Sequence, residues 1–116
     1  MLYDFTISSG QAVSSGEYLD PSVTGLADGA ACALLTPAAW TAADLLVESS
    51  VDGTNWFPVY SADGTCTRIV LDAGRIVTLD PASLWGLSWL RFRSVAVGDT
   101  SDVNQAANRT LRLIIR

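Results

Sequence analysis

The sequence predicts an all-β, single-domain protein, a β-sandwich or jelly roll of about eight short antiparallel strands within its 116 residues. Three observations carry that prediction. Leu45 to Tyr60 reads as an apolar run, then Asp52-Gly53, then an aromatic run, which is a strong hairpin signal. Short segments of alternating or wholly apolar character recur at regular spacing between clusters of Gly, Pro, Asn and Asp. Helical periodicity is almost absent, which favours a sandwich over an α/β unit.

Taken in order, Leu2 to Ser8 alternates, with Tyr3, Phe5 and Ile7 on one face and Asp4, Thr6 and Ser8 on the other, the period of a half-buried strand. Ser9 to Gly29 is rich in Gly, Ser, Asp and Pro and reads as loop, with a short strand candidate at Glu17 to Leu19. Residues 1–29 as a whole form a loop-rich segment able to reach a neighbouring subunit. Ala30 to Thr36 is a strand ended by Pro37, and a turn follows around Trp40.

In the Leu45 to Tyr60 hairpin, Gly53 supplies the positive φ that a tight turn demands, while Asp52 can bond its own backbone. Pro58 marks the second arm as an edge strand or a bulge. Trp56 is expected to anchor the core. Thr65 to Leu71 and Arg75 to Leu79 are expected to pair around Asp72-Ala73-Gly74, a second hairpin signature. Asp80-Pro81-Ala82-Ser83-Leu84 reads as an N-capped single turn ended by Gly86. Trp89 to Ser94 and Arg109 to Ile115 are strands, and the polar stretch Val97 to Ala107 between them is a long loop.

A chain of 12.3 kDa fits one domain with a radius of gyration of roughly 13 Å. Its 49% hydrophobic content is enough for a real core. Charged residues make up only 16%, below the ~25% of ordinary soluble domains, which favours association; Ser and Thr replacing charges on a monomer surface is the plainer alternative. The net charge of −5 lacks the electrostatic footprint of a nucleic-acid binder. Eight acids, Asp4 through Asp63, precede the first base, Arg68, and bases outnumber acids thereafter. That segregation could create complementary patches on one protomer, or the fold could interleave the two signs. Lysine is absent, so every cation is an arginine suited to bidentate contacts, although base composition would give the same bias.

Cys32 and Cys66 sit in different contexts and read as incidental thiols, with one disulfide as the alternative. The start, Met1-Leu2-Tyr3-Asp4-Phe5, lacks the basic and apolar regions of a secretory signal, so synthesis in a cytoplasm is expected. Thr36-Pro37 breaks the longest apolar stretch well short of the ~18 residues of a membrane span, so no membrane partner is expected.

Histidine is absent, which removes Ser-His-Asp and Cys-His catalysis and the commonest transition-metal ligand. Without lysine there is no Schiff base and no Walker A motif. Paired carboxylates are the remaining enzymatic option, but Asp52, Asp63 and Asp72 stand beside or near glycines, and turn chemistry explains them more simply. Asp99-Thr100-Ser101-Asp102 is oxygen-rich without the calcium-loop pattern. The expectation is therefore a protein without catalysis, cofactor or metal. Trp40, Trp56, Trp85 and Trp89 could stack on sugars, yet a small chain needs most of its Trp in the core. Trp85, beside Gly86, is the candidate for exposure.

A run of segments in fixed order makes a recognisable text: Thr36-Pro37-Ala38-Ala39-Trp40-Thr41-Ala42-Ala43, Ser49 to Trp56, Ala73-Gly74-Arg75, Leu79-Asp80-Pro81-Ala82, Leu90-Arg91-Phe92-Arg93-Ser94 and Gln105 to Leu111. Over residues 36–116 this resembles small virion structural proteins of tailed bacteriophages and prophages. The resemblance implies a capsid decoration, or cement, protein on the virion surface, a homo-oligomer whose partner is the major capsid protein. Its candidate contacts are Trp85, Arg91, Arg93, Asp99, Asp102 and Gln105, with the N-terminal segment through Asp28 and the Val97 to Ala107 loop. A weaker resemblance is to the discoidin-like jelly roll, on Ser50-Val51-Asp52-Gly53-Thr54-Asn55-Trp56 and the aromatic-x-Arg pattern of Trp89 to Arg93. It implies, as the alternative, a carbohydrate-binding module that contacts a surface glycan through Trp85.

Overall fold

Period-two alternation places one face of each strand inward, and in the computed structural model these faces close on one another as two antiparallel sheets. The structure describes residues 1–19, 32–84 and 86–115. Its strands are β1 (Leu2–Ile7), β2 (Glu17–Tyr18), β3 (Cys32–Leu35), β4 (Asp44–Ser50), β5 (Phe57–Pro58), β6 (Arg68–Ile69), β7 (Ile76–Leu79), β8 (Trp89–Val95) and β9 (Arg109–Ile115). One sheet runs β1-β9-β3-β7; the other runs β2-β8-β4-β5, with β6 on the same edge of β4. The chain switches sheet at nearly every connection, which is the jelly-roll order with its fifth strand divided into β5 and β6. The sequence's all-β sandwich of about eight strands is the observed fold, and its radius of gyration is 13.2 Å.

The division of the fifth strand has a local cause. Val59 N and Val47 N donate to Val47 O and Thr67 O, and Thr67 N donates to Val59 O, so the chain leaves β4 at Val59 and returns at Thr67. Between them Tyr60 bridges Cys66, and Ser61 and Asp63 close a protruding turn. Pro58 lies at the sheet edge, where its missing N–H leaves no bond unmade.

The core comes from the inward positions. Phe5 and Phe92 meet edge to face at 4.8 Å across the sandwich, surrounded by Ile7, Leu34, Leu45, Leu90, Leu111 and Leu113, all with no exposed surface. Cys32 lines this core and Cys66 lies outside it; both are free thiols, and burial pushes the Cys32 thiol up to about 11. Asp80 caps the short 3-10 turn Pro81–Leu84 as expected, accepting from Ala82 N at 3.0 Å, and Leu84 plugs the core.

Three expectations are corrected, on the Asp72-Ala73-Gly74 turn, the Asp52-Gly53 connection and Trp56. The hairpin at Asp72-Ala73-Gly74 does not form: β6 pairs with β4 and β7 pairs with β3, so this turn carries the chain between sheets. Thr36 holds the crossing, its hydroxyl donating to Asp72 O at 2.7 Å and accepting from Arg75 N at 3.1 Å. The Asp52-Gly53 connection is a wider loop over residues 51–56, closed by the Ser49–Phe57 pair. Trp56 is half-buried at the surface and outside the core. The N-terminal stretch 9–19 is tied to its own body, with Ser14 N bonding Phe92 O and Ser94 N bonding Ala12 O, both at 2.8 Å; residues 20–29 lie outside the described residues.

Truncating the central aromatic tests this architecture. Phe92→Ala should lower unfolding free energy by about 3–5 kcal/mol, read as a shifted urea midpoint, because the cavity would open in the middle of the interface between the sheets.

Candidate functional site

Two outward sheet faces are available for recognition, and they differ in chemistry. On the β2-β8-β4-β5 sheet, the register sets Glu48 opposite Arg91 and Leu46 opposite Arg93. Glu48 is only 4% exposed, and its carboxylate lies between Arg91 Nε at 2.8 Å and Arg93 Nη1 at 3.5 Å. Arg93 also reaches Asp102 at 3.4 Å. At the far end Asp44, 2% exposed, binds Arg68 at 2.9 Å and accepts from Gly98 N at 3.3 Å. The face is a chain of ion pairs in which Asp44 Oδ1 and Arg93 Nε are buried without a hydrogen bond.

The aromatic residues of this face are also engaged. The Arg91 guanidinium lies 4.6 Å from the centre of the Trp56 ring. Gly16 approaches the same ring so closely that an added Cβ would come within 2.6 Å of it. Trp89 packs on Tyr18 at 5.2 Å, and Gly53 lies against its ring, where an added Cβ would sit 3.0 Å away. Gly53 thus has two reasons to be glycine, this approach and a φ of 79°. Asp52 holds the same loop by accepting from Thr54 N, Asn55 N, Asn55 Nδ2 and Ser50 Oγ, each within 2.9 Å. The Asn55 and Thr54 amides, followed by the Asn55 and Ser50 side chains, hold its carboxyl well below the usual aspartate range.

The expected contact residues therefore separate. Arg91, Arg93 and Asp102 do come together, in one network. Asp99 contributes its backbone oxygen to Arg68, while its carboxylate caps Thr100 N at 2.7 Å. Gln105 is 1% exposed and presents no surface. Its side chain accepts from Thr41 N at 2.9 Å and donates to Thr41 O at 3.1 Å and Ser94 Oγ at 2.9 Å, so it is a structural clamp. Trp85 lies outside the described residues. Among the described residues, no cluster of three His, Cys, Asp or Glu could hold a metal.

The other outward face was missed from sequence. On the β1-β9-β3-β7 sheet, Leu2, Ile114, Ala33 and Thr78 align in one row, and Asp4, Arg112, Leu35 and Ile76 align in the next. Leu2 is 57% exposed, Leu35 37% and Ile76 60%, with Met1 beside them at 52%. The polar feature among them is the forked Arg112–Asp4 pair at 2.7 and 3.2 Å, which lowers the Asp4 pKa. Singly exposed apolar residues are ordinary, whereas these gather on one outward sheet face. The available signal was Ile114, the residue that breaks the alternation of β9.

No protein-family model matches the chain, and no curated protein matches it. Among solved structures, the fold is similar to the crystal structure of SPBc2 prophage-derived protein YomS, at 13% identity and a TM-score of 0.51, across 99% of this chain and 92% of that one. At that identity the likeness is one of fold.

Two measurements follow from the 51–56 loop. Gly53→Ala should destabilise the fold by about 1–3 kcal/mol in chemical denaturation, because alanine is strained at that φ and crowds Trp89. Asp52, Asp63 and Asp4 all have lowered folded pKa values. Their contribution is present above the ordinary aspartate pKa and is lost as pH falls through the folded values, so stability should decline below roughly pH 5. Asp52→Asn removes one of these titrations and should give a shallower acid limb; identical limbs would contradict the assignment.

Proposed function

We propose that the chain is a structural protein of a tailed-phage or prophage virion, and specifically a capsid decoration protein. In this reading it is made in the host cytoplasm and then binds neighbouring major capsid subunits on the particle surface as a homo-oligomer. The observation that carries the reading is the outward apolar face of Leu2, Leu35, Ile76 and Ile114, set beside a second face whose charges are already paired. Support for the phage setting comes from the sequence resemblance over residues 36–116 and from the fold likeness to a prophage-derived protein over nearly the whole chain.

The mechanism is binding without a chemical step. Covering apolar surface releases about 25 cal/mol per Å², and a lasting contact needs more than ~1,000 Å² across both partners. In this reading the outward sheet face, with the Arg112–Asp4 pair on it, is the surface laid against the capsid subunits. The forked Arg112–Asp4 pair would supply orientation within an otherwise apolar contact. The glycan alternative rests on Trp85, since Trp56 and Trp89 already pack on Arg91, Gly16, Gly53 and Tyr18.

Co-sedimentation with empty heads assembled from the major capsid protein tests the proposal. The double variant Leu2→Glu/Leu35→Glu should keep its melting temperature, both side chains being exposed, and lose at least about tenfold in head affinity. Heads stripped of the protein should release DNA at a lower temperature. Unchanged release, or location of the protein on the tail, would overturn the assignment.

A further inference from the structure

Among the described residues β7 is an edge strand of its sheet. In the β3–β7 ladder, Thr36 N donates to Arg75 O at 2.9 Å, which sets the phase of the alternation. Leu34–Val77 and Cys32–Leu79 are then hydrogen-bonded pairs, whereas Leu35–Ile76 and Ala33–Thr78 are not. The N–H and C=O groups of Ile76 and Thr78 consequently point away from β3. Among the described residues no strand pairs with that side, and both residues are exposed.

We propose that two copies of this chain associate through antiparallel β7–β7 pairing about a two-fold axis at Val77, joining two four-stranded sheets into one continuous eight-stranded sheet. In that register Ile76 lies opposite Thr78 of the second copy, and Thr78 lies opposite its Ile76. The outward-pointing N–H and C=O groups of both residues then form two complete hydrogen-bonded pairs. The parity also fits: Ile76 and Thr78 both carry their side chains on the outer face, so the outer faces of the two copies stay continuous. A slip of one residue would set outer side chains against inner ones and leave the edge groups misdirected.

β7 also differs from the edges at β5 and β1. Edges are ordinarily blunted by proline, charge or covering segments. β5 carries Pro58, and the end of β1 is covered where Ser15 N bonds Thr6 O at 2.8 Å and Ser14 bridges Ile7. β7 (Ile76-Val77-Thr78-Leu79) has neither proline nor charge. Beside it runs a cleft of about 240 Å³ whose lining mixes Ile69, Val70, Val77 and Leu79 with polar groups that include Arg68 and Asp80. Val70, across the cleft, is 69% exposed.

This deepens the homo-oligomeric part of the proposed function, yet its test needs no capsid, so either idea can fail alone. Sedimentation equilibrium and light scattering on the purified chain should show a concentration-dependent rise from 12.3 kDa towards twice that mass. Thr78→Pro removes an N–H that β3 does not use, a position where an edge strand accepts proline, and should leave a folded monomer. Ile76→Lys tests the same edge without altering the backbone and should weaken association at least tenfold. Leu2→Glu, distant from the edge, should associate as the wild type does. In the wild type, the Ile76 and Thr78 amides should gain hydrogen-exchange protection with concentration. A wild-type chain that stays monomeric at all accessible concentrations would overturn the proposal, as would association that survives both edge variants.

Discussion

The fold depends on a carboxylate taken almost wholly out of water. Glu48 sits in the middle of β4, a strand buried on both faces except at Ser49, and it is satisfied there only because β8 delivers Arg91 and Arg93 to the same side. A buried charge left unpaired costs several kcal/mol, so any shift in the β4–β8 register would strand it. The opposite face of the same two strands places Leu45, Val47, Leu90 and Phe92 in the core. Hydrophobic burial stabilises the pairing without direction, and the ion pairs give it one register. The cation over Trp56 extends that control to the loop after β4.

Gln105 plays the same part at the seam between the N-terminal segment and the late loop. Its backbone exchanges bonds with Gly10 and Gln11, and its amide joins Thr41 to Ser94 in a site with almost no solvent. Every polar group of the side chain is paired, which is the condition under which burial of an amide is tolerated. The long polar stretch after β8 and the loop-rich start of the chain are therefore each other's anchor. Both read from sequence as loops, and their mutual bonds were not legible because Gly10 and Gln105 are far apart in the chain.

What could be read from sequence was what is local. Alternation found β1, β8 and β9 to within a residue or two, and Asp80-Pro81 marked its capped turn, because these signals act within a few positions. Pairing is not local. Asp72-Ala73-Gly74 has the chemistry of a tight turn, and a turn reverses the chain equally well whether its flanking strands pair or join opposite sheets. Trp56 looked like core by size alone, and it is the cross-strand Arg91 and the absent side chain of Gly16 that hold it at the surface. Of the expected contact residues, Arg91, Arg93 and Asp102 lie in one ion-pair network around Glu48. Leu2, Leu35 and Ile76 escaped notice because each is unremarkable in its own segment, and only the β1-β9-β3-β7 pairing brings them onto one face.

The charge segregation along the chain resolves in the same way. Acids of the first half meet arginines of the second within one molecule: Asp4 with Arg112, Asp44 with Arg68, and Glu48 with Arg91 and Arg93. The sandwich interleaves what the sequence separates, so these charges have little left to offer as complementary patches on neighbouring molecules. Among the described residues, apolar area and an edge strand's backbone are then means of attachment that do not draw on those paired charges. The β1-β9-β3-β7 sheet holds both, on its outward face and along β7, and they meet at Ile76, which belongs to each. Self-association at the edge would therefore enlarge the apolar face without covering it, leaving that face available to a second kind of partner.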